Sequence, residues 1–95
     1  VNGLSAGTSF LGHDLRLPII LAPIGSLQQF FEEGGSGVSK AAGEFGVMHM
    51  LSSVCKPGLE AVAEAAPDAH RIFQLYVRGD ADWVDDHVKR AVQLG

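Results

Sequence analysis

The sequence lacks the patterns on which several classes of protein depend. Among its 95 residues it has one cysteine, Cys55, and no run of lysine or arginine. A single cysteine excludes an intrachain disulfide, and the four scattered histidines offer no zinc-binding spacing, so no metal site is predicted. The formal net charge of −4 does not supply the basic surface that phosphate backbones require, so nucleic acid is not expected as a partner.

Long apolar runs are also absent. The longest, residues 17–24, contains two prolines and is too short to span a bilayer. No secretory signal pattern is visible near the N-terminus. The sequence therefore predicts no membrane-spanning segment and a cytoplasmic location.

What the sequence does contain is an alternation of strand-like and helix-like segments. Strands are predicted at residues 18–24, 47–52 and 71–77. Helices are predicted at residues 36–45, from Pro57 to Pro67, and from a cap at Asp80 to the end of the chain. The N-terminal segment 1–17 is expected to be irregular or hairpin-like, and the glycine-rich stretch 34–37 to be a flexible turn. Such alternation implies parallel strands joined by right-handed crossovers, which is an α/β fold.

Three strands alone would leave two apolar sheet edges unpaired, and open edges of this kind favour aggregation. The chain is therefore expected to be part of a larger α/β protein. A closed (β/α)8 barrel takes about 250 residues. Residues 1–95 would form a partial domain of such a barrel, with roughly three βα units over 18–95.

Small or polar residues follow the apolar part of each predicted strand. Gln74 and Tyr76 are two residues apart, so on a strand their side chains share a face. Ser52 ends the second strand, and Ala22 and Gly25 end the first. If these faces point into a barrel, a hydroxyl, an amide and a phenol converge at its mouth, where parallel α/β folds bind ligands. Such a mouth fits a flat ligand with polar edges, such as a flavin ring, but the pattern does not choose flavin over a phosphorylated metabolite.

Four segments of the chain carry a resemblance to a known family. They are LPIILAPIG (17–25), GVMHMLSS (46–53), LEAVAEAAP (59–67) and RIFQLYVRGD (71–80). In order and spacing they resemble the N-terminal half of the FMN-dependent 2-hydroxy acid oxidase and dehydrogenase family, which includes glycolate oxidase, lactate oxidase, lactate monooxygenase and mandelate dehydrogenase. The resemblance covers nearly the whole chain. It implies a (β/α)8 TIM barrel with FMN at its mouth, of which this chain covers roughly the first three βα units.

The resemblance also implies roles for individual residues in the oxidation of a small L-2-hydroxy acid to the 2-oxo acid. The implied cofactor-binding residues are Ala22, Pro23, Ile24, Gly25, Ser52 and Gln74. Backbone at the first four would lie against the redox-active edge of FMN, while Ser52 would bond the flavin and Gln74 would contact its pyrimidine part. Tyr76 would bind the 2-hydroxycarboxylate substrate, which makes it the one candidate catalytic residue in this chain.

Other parts of the family's site are expected outside these residues. The catalytic histidine and the carboxylate-binding arginines belong to later strands, so none of the four histidines here is assigned that role. The resemblance implies that the remaining half of the barrel comes from the same or a second chain, and that the protein forms a homo-oligomer. Ile24 stands where many members have threonine, and residues 31–34 stand where many have His-Pro-Glu-Gly. The identity of the substrate is therefore left open.

Each candidate also has a purely structural interpretation. Gln74 and Tyr76 can be polar groups satisfied inside a core, and Ser52 can cap the helix that follows it. His49 falls on the helix-facing side of its strand, where a packed neutral histidine is expected, and Cys55 is interpreted as a bystander thiol. For the whole chain, the alternatives are a non-catalytic or truncated barrel segment with a structural or assembly role, and another flavin- or phosphate-binding barrel.

Overall fold

The structure is a computed structural model that describes residues 3–95. Its strands are β1 (Thr8–Phe10), β2 (His13–Leu15), β3 (Ile20–Leu21), β4 (Met48–Ser52) and β5 (His70–Gln74). Its helices are a 3-10 turn at Leu27–Gln29 and the α-helices α1 (Gly34–Phe45), α2 (Leu59–Ala65) and α3 (Ala81–Leu94). From β3 onward, each strand is followed by an α-helix.

The N-terminal segment contains an antiparallel hairpin of β1 and β2, with Phe10 opposite His13. Leu11 and Gly12, the two residues between the strands, have φ of 50° and 79°. Positive φ at both central positions is the geometry of a type I′ turn, whose twist matches that of the flanking strands. The hairpin-like structure expected in segment 1–17 is therefore found at residues 8–15.

A parallel sheet of β3, β4 and β5, with β4 in the centre, forms the main body of the chain. The register pairs Ile20 with Met48 on one side of β4, and Ser52 with Gln74 on the other. The predicted α/β fold with parallel strands is thereby confirmed.

Two strands differ in extent from their predictions. The strand predicted at 18–24 is reduced to the two residues of β3, since Pro18 and Pro23 on either side cannot donate hydrogen bonds to a neighbouring strand. The strand predicted at 71–77 ends at Gln74, and beyond it the main-chain N–H of Tyr76 bonds a side-chain hydroxyl instead of a strand carbonyl. Tyr76 therefore lies beyond the strand, and strand alternation does not fix the direction of its side chain.

The helix α1 begins two residues before its predicted start. Residues 34–37, expected to be a flexible turn, form its first turn instead. The main-chain N–H of Gly35 donates to the Lys56 carbonyl at 3.0 Å, and a Cβ on Gly35 would lie 2.9 Å from the Leu51 side chain. These glycines thus let the start of the helix pack directly on the chain that follows β4.

The other helix ends have local causes. Gly46, with a φ of 85°, ends α1 as predicted, because a left-handed residue satisfies the last carbonyls of a helix. The helix α2 begins after Gly58 and not at Pro57. The predicted cap of α3 is confirmed, since the Asp80 carboxylate accepts a hydrogen bond of 2.9 Å from the main-chain N–H of Trp83.

The core lies on the helix-facing side of β4. Its fully buried cluster consists of Leu27, Leu51, Cys55 and Val62. Leu51 and His49 project toward the helices, so Met50 and Ser52 project from the opposite face. Cys55 is 4% exposed and packed within this cluster.

His49 and Ser39 form a buried polar pair between β4 and α1. The His49 Nδ1 atom lies 2.7 Å from the Ser39 Oγ atom, and the two residues are 1% and 0% exposed. Burial, followed by the positive charge of Arg71, lowers the pKa of His49 below its ordinary value. The packing expected for this histidine on the helix-facing side is therefore confirmed, and the lowered pKa favours its neutral form.

This pair predicts a pH dependence of stability. As the pH falls below about 6.5, the ordinary pKa of histidine, the unfolded chain takes up a proton at His49 before the folded chain does. Proton uptake by the unfolded state favours unfolding, so the folded state becomes less stable toward acidic pH. Urea midpoints of the intact protein at about pH 8 and about pH 5.5 measure this difference. His49→Gln should make the difference smaller, and an unchanged difference would contradict the assignment.

Candidate active site

The carboxyl ends of the three parallel strands meet at one edge of the sheet, and polar groups gather there. The register between β4 and β5 places Ser52 beside Gln74. Both occupy the face opposite the core, because the intervening positions, Leu51 and Phe73, pack against the helices. A hydroxyl and an amide are therefore neighbours on the side of the sheet that would line a barrel.

The chain after β3 joins this edge through close backbone packing. A Cβ on Gly25 would lie 2.8 Å from the Val54 Cγ2 atom, and the main-chain N–H of Ser26 donates to the Val54 carbonyl at 3.3 Å. Ile24 is half exposed, so its side chain is not part of the core. The segment 22–25 therefore reaches the chain just after Ser52.

A hydrogen bond from its main-chain N–H holds Tyr76 at the carboxyl edge of the sheet. Its N–H donates to the Ser53 Oγ atom at 3.1 Å, while the N–H of Ser53 donates to the Gln74 carbonyl at 2.9 Å. The Tyr76 side chain is 51% exposed and Gln74 is partly buried. Within residues 3–95, no other residue hydrogen-bonds to the Gln74 amide or the Tyr76 phenol. These groups therefore differ from satisfied core polar groups and are free to bind a ligand.

The Ser52 hydroxyl accepts a local hydrogen bond, and its own O–H stays available as a donor. Ser52 is 3% exposed, and its Oγ atom accepts a hydrogen bond of 3.2 Å from the main-chain N–H of Val54. This bond closes a turn after β4 and does not cap α2, whose N-terminal cap is Gly58. A hydroxyl has one donor besides its acceptor capacity, so Ser52 can still donate to a ligand.

The residues at this edge fit the chemistry of a flavin. A hydroxyl donor and a free amide, which both donates and accepts, match the donor and acceptor groups along the pyrimidine edge of the ring. Gly25 has no space for a side chain on the Val54 side, so the backbone there stays compact. Ser52, Gln74 and the segment 22–25 could therefore hold the ring of a flavin.

A cleft of about 200 Å³ lies on the helix side of the same edge. Phe73, Leu59 and Trp83 contribute to its lining, which places it between β5, α2 and α3. Ligand pockets usually begin at about 300 Å³. The cleft is therefore smaller than a usual ligand pocket, although the candidate residues Ser52 and Tyr76 also contribute to its lining.

Two other kinds of feature are not found in the part of the chain that the structure describes. Residues 3–95 contain no group of three or more histidine, cysteine, aspartate or glutamate side chains placed to hold a metal ion. In the same range, every helix is too short or too polar to cross a membrane. The cytoplasmic location stays a prediction.

Ser53 is the residue of this edge to which the sequence assigned no role. Its contacts with residues 74 and 76 join segments far apart in the chain. The one available signal was the pair of adjacent serines at a strand end, where a hydroxyl commonly bonds a nearby main-chain group.

Parallel strands joined by helices, with polar groups at the carboxyl edge of the sheet, define the class of the protein as α/β. Residues 1–95 match the family model described as FMN-dependent dehydrogenase. The chain belongs to this family. The resemblance found in the sequence and the predicted TIM-barrel fold are both confirmed.

Individual relatives agree with this assignment. The chain is 32% identical over 88 residues to 2-hydroxyacid oxidase 2 of Rattus norvegicus, covering 93% of this chain and 25% of that protein. It is 35% identical over 95 residues to an L-lactate dehydrogenase of Serratia proteamaculans, covering 100% of this chain and 25% of that protein. The chain spans about a quarter of the length of these curated relatives.

Solved structures show the same fold. The flavin-binding domain of baker's yeast flavocytochrome b2 matches with a TM-score of 0.90 at 28% identity, covering 100% of this chain and 25% of that one. A mandelate oxidase with (S)-2-phenylpropionate matches with a TM-score of 0.91 at 28% identity, covering 99% of this chain and 28% of that one.

Proposed function

We propose that this chain forms the first three βα units of an FMN-dependent enzyme that oxidises a small L-2-hydroxy acid to the 2-oxo acid. The observation that carries the proposal is the juxtaposition at one sheet edge of Ser52, the unpaired Gln74 amide and the exposed Tyr76. Membership of the FMN-dependent dehydrogenase family supports the choice of flavin over a phosphorylated metabolite.

In this proposal the residues at the carboxyl edge of the sheet have different roles. The backbone at Ala22, Pro23, Ile24 and Gly25 would lie beside FMN at its redox-active part. Ser52 would donate a hydrogen bond from its hydroxyl to the ring, and the Gln74 amide would hydrogen-bond the pyrimidine part. Bound FMN supplies the chemistry of accepting the two electrons that leave the substrate.

Tyr76 acts on the substrate and not on the flavin. Its phenol is exposed, and it can donate a hydrogen bond to a carboxylate or to the 2-hydroxyl group. Oxidation removes the hydrogen on the substrate's C2 atom and the hydroxyl proton together with two electrons. We assign the base that removes a proton from the substrate, and the arginines that bind the carboxylate, to polypeptide outside these residues.

The same proposal includes the rest of the barrel. In residues 3–95, β3 and β5 each pair on one side only. Val88 and Val92, on α3, are 49% and 75% exposed, which leaves apolar surface uncovered beside β5. We propose that further strands and helices, in the same or a second chain, cover these edges. Assembly into a homo-oligomer also stays a prediction.

The test of this function is reduction of the bound flavin by the substrate. The intact protein is loaded with FMN and titrated without oxygen with L-lactate, glycolate and L-mandelate. At least one acid is expected to bleach the flavin absorbance near about 450 nm, a property of the cofactor itself. D-lactate serves as the control and should leave the spectrum unchanged.

Two other results would contradict the proposal. FMN that binds but is not reduced by any of these acids would favour a flavin barrel with different chemistry. Failure to bind FMN at all would favour a barrel segment with a structural or assembly role.

A further inference from the structure

We propose that Ser53 is a positioning residue that fixes Tyr76 for substrate binding. The inference rests on the proposed function, because it assumes that Tyr76 contacts the substrate. Ser53 itself is not assigned a contact with substrate or flavin, since its hydroxyl is occupied by the main-chain N–H of Tyr76 at 3.1 Å.

Tyr76 needs such a support because the sheet does not hold it. The strand β5 ends at Gln74, so the ladder of main-chain hydrogen bonds stops two residues before Tyr76. Its side chain is 51% exposed and is not locked by a surrounding core. The placement of the phenol therefore depends on where the backbone is held, and the Ser53 hydroxyl is the group that holds it.

Ser53 makes two bonds that can be separated experimentally. Its main-chain N–H donates to the Gln74 carbonyl at 2.9 Å, and this bond survives any substitution of the side chain except proline. Among residues 3–95, the only group to which its hydroxyl bonds is the main-chain N–H of Tyr76. Removing the hydroxyl therefore releases Tyr76 while leaving the connection to Gln74, a proposed flavin contact, in place.

The loop that carries Ser53 is itself anchored on its far side. The Lys56 N–H donates to the Gln28 side-chain oxygen at 2.9 Å, and the Lys56 carbonyl accepts from Gly35 at 3.0 Å. The Val54 carbonyl accepts from Ser26 at 3.3 Å. Ser53 thus connects Tyr76 to a loop that other hydrogen bonds hold in place. A phenol displaced by about 1 Å can lose much of its contribution to catalysis.

The first experiment is a double-mutant cycle in the intact, FMN-loaded protein. Ser53→Ala is expected to lower kcat/KM for the best 2-hydroxy acid by about fivefold to tenfold, the effect of one lost hydrogen bond, and to leave the FMN dissociation constant unchanged. Ser53→Thr keeps a hydroxyl and should restore most of the loss. In a Tyr76→Phe background, Ser53→Ala should cause no further loss, because the group it positions is already gone.

A second measurement does not depend on activity. Hydrogen exchange of the Tyr76 amide is expected to be faster in Ser53→Ala than in the parent protein, since the acceptor of that N–H is removed. The matched control is Ser36→Ala, whose hydroxyl bonds no other residue among residues 3–95; it should alter neither exchange nor kinetics.

The results that would overturn the inference are distinct from failure of the proposed function. Unchanged amide exchange, an undiminished kcat/KM, a weakened FMN affinity, or an equal further loss in the Tyr76→Phe background would each reject the role of Ser53. Absence of flavin reduction in the parent protein would reject the function itself, together with any role of Ser53 in binding the substrate.

Discussion

A Gly34→Ala substitution is expected to lower the free energy of unfolding of the intact protein by at least about 2 kcal/mol. Gly34 has a φ of 54°, which favours glycine, and a Cβ there would overlap the Lys56 carbonyl oxygen. That oxygen cannot easily withdraw, because it accepts a hydrogen bond of 3.0 Å from Gly35. The substitution therefore combines backbone strain with a steric overlap against main chain.

The measurement for Gly34 is urea unfolding monitored by circular dichroism. Gly7→Ala is the matched control, since Gly7 has no positive φ and a Cβ there would meet its nearest neighbour, the Ser5 hydroxyl, at an ordinary 3.4 Å. The control is expected to stay within about 0.5 kcal/mol of the parent protein. Equal stabilities of the two variants would show that the start of α1 is not packed on the Lys56 carbonyl.

The second large effect is expected at Gln74. Replacing its amide by the apolar side chain of leucine should weaken FMN binding by at least about tenfold, because a polar edge of the ring would lose its partner on binding. Leucine is close in size, and Gln74 projects from the face opposite the core, so Gln74→Leu should change the unfolding free energy by less than about 1 kcal/mol.

Quenching of flavin fluorescence on binding gives the dissociation constant for this comparison. Gln93→Leu, at an exposed position of α3, is the matched control and should bind FMN as the parent protein does. If Gln74→Leu lowered stability while leaving FMN affinity unchanged, Gln74 would be a structural polar group and the assignment of the flavin site to this sheet edge would fail.

Several features of the fold follow from short-range patterns and were predictable. The parallel sheet follows from apolar segments separated by helical ones, and Gly46 and Asp80 mark helix ends through local backbone and capping chemistry. The helix-facing position of His49 follows from the two-residue period of a strand. The family resemblance rests on the same strand-end segments, read in order.

Other features were mispredicted because their causes are not local. The stretch 34–37 has the composition of a flexible turn, yet it is helical because Gly34 and Gly35 pack on the Lys56 carbonyl. Apolar character extends through Val77, yet β5 stops at Gln74, where the backbone turns toward the Ser53 hydroxyl. In both cases a contact with a residue more than 20 positions away in the chain overrides the structure that the local sequence favours.

The sequence by itself determined the alternation of strands and helices and the faces of β4, and it supplied the candidate residues of the proposed site. Only the tertiary structure decided that the Ser53 hydroxyl bonds the backbone of Tyr76. It also decided that the loop after β4 is bonded both to the segment after β3 and to the segment after β5. The physical reason is that periodicity and capping act over a few residues. Hydrogen bonds between loops depend on where the packed sheet and helices bring distant segments of the chain together.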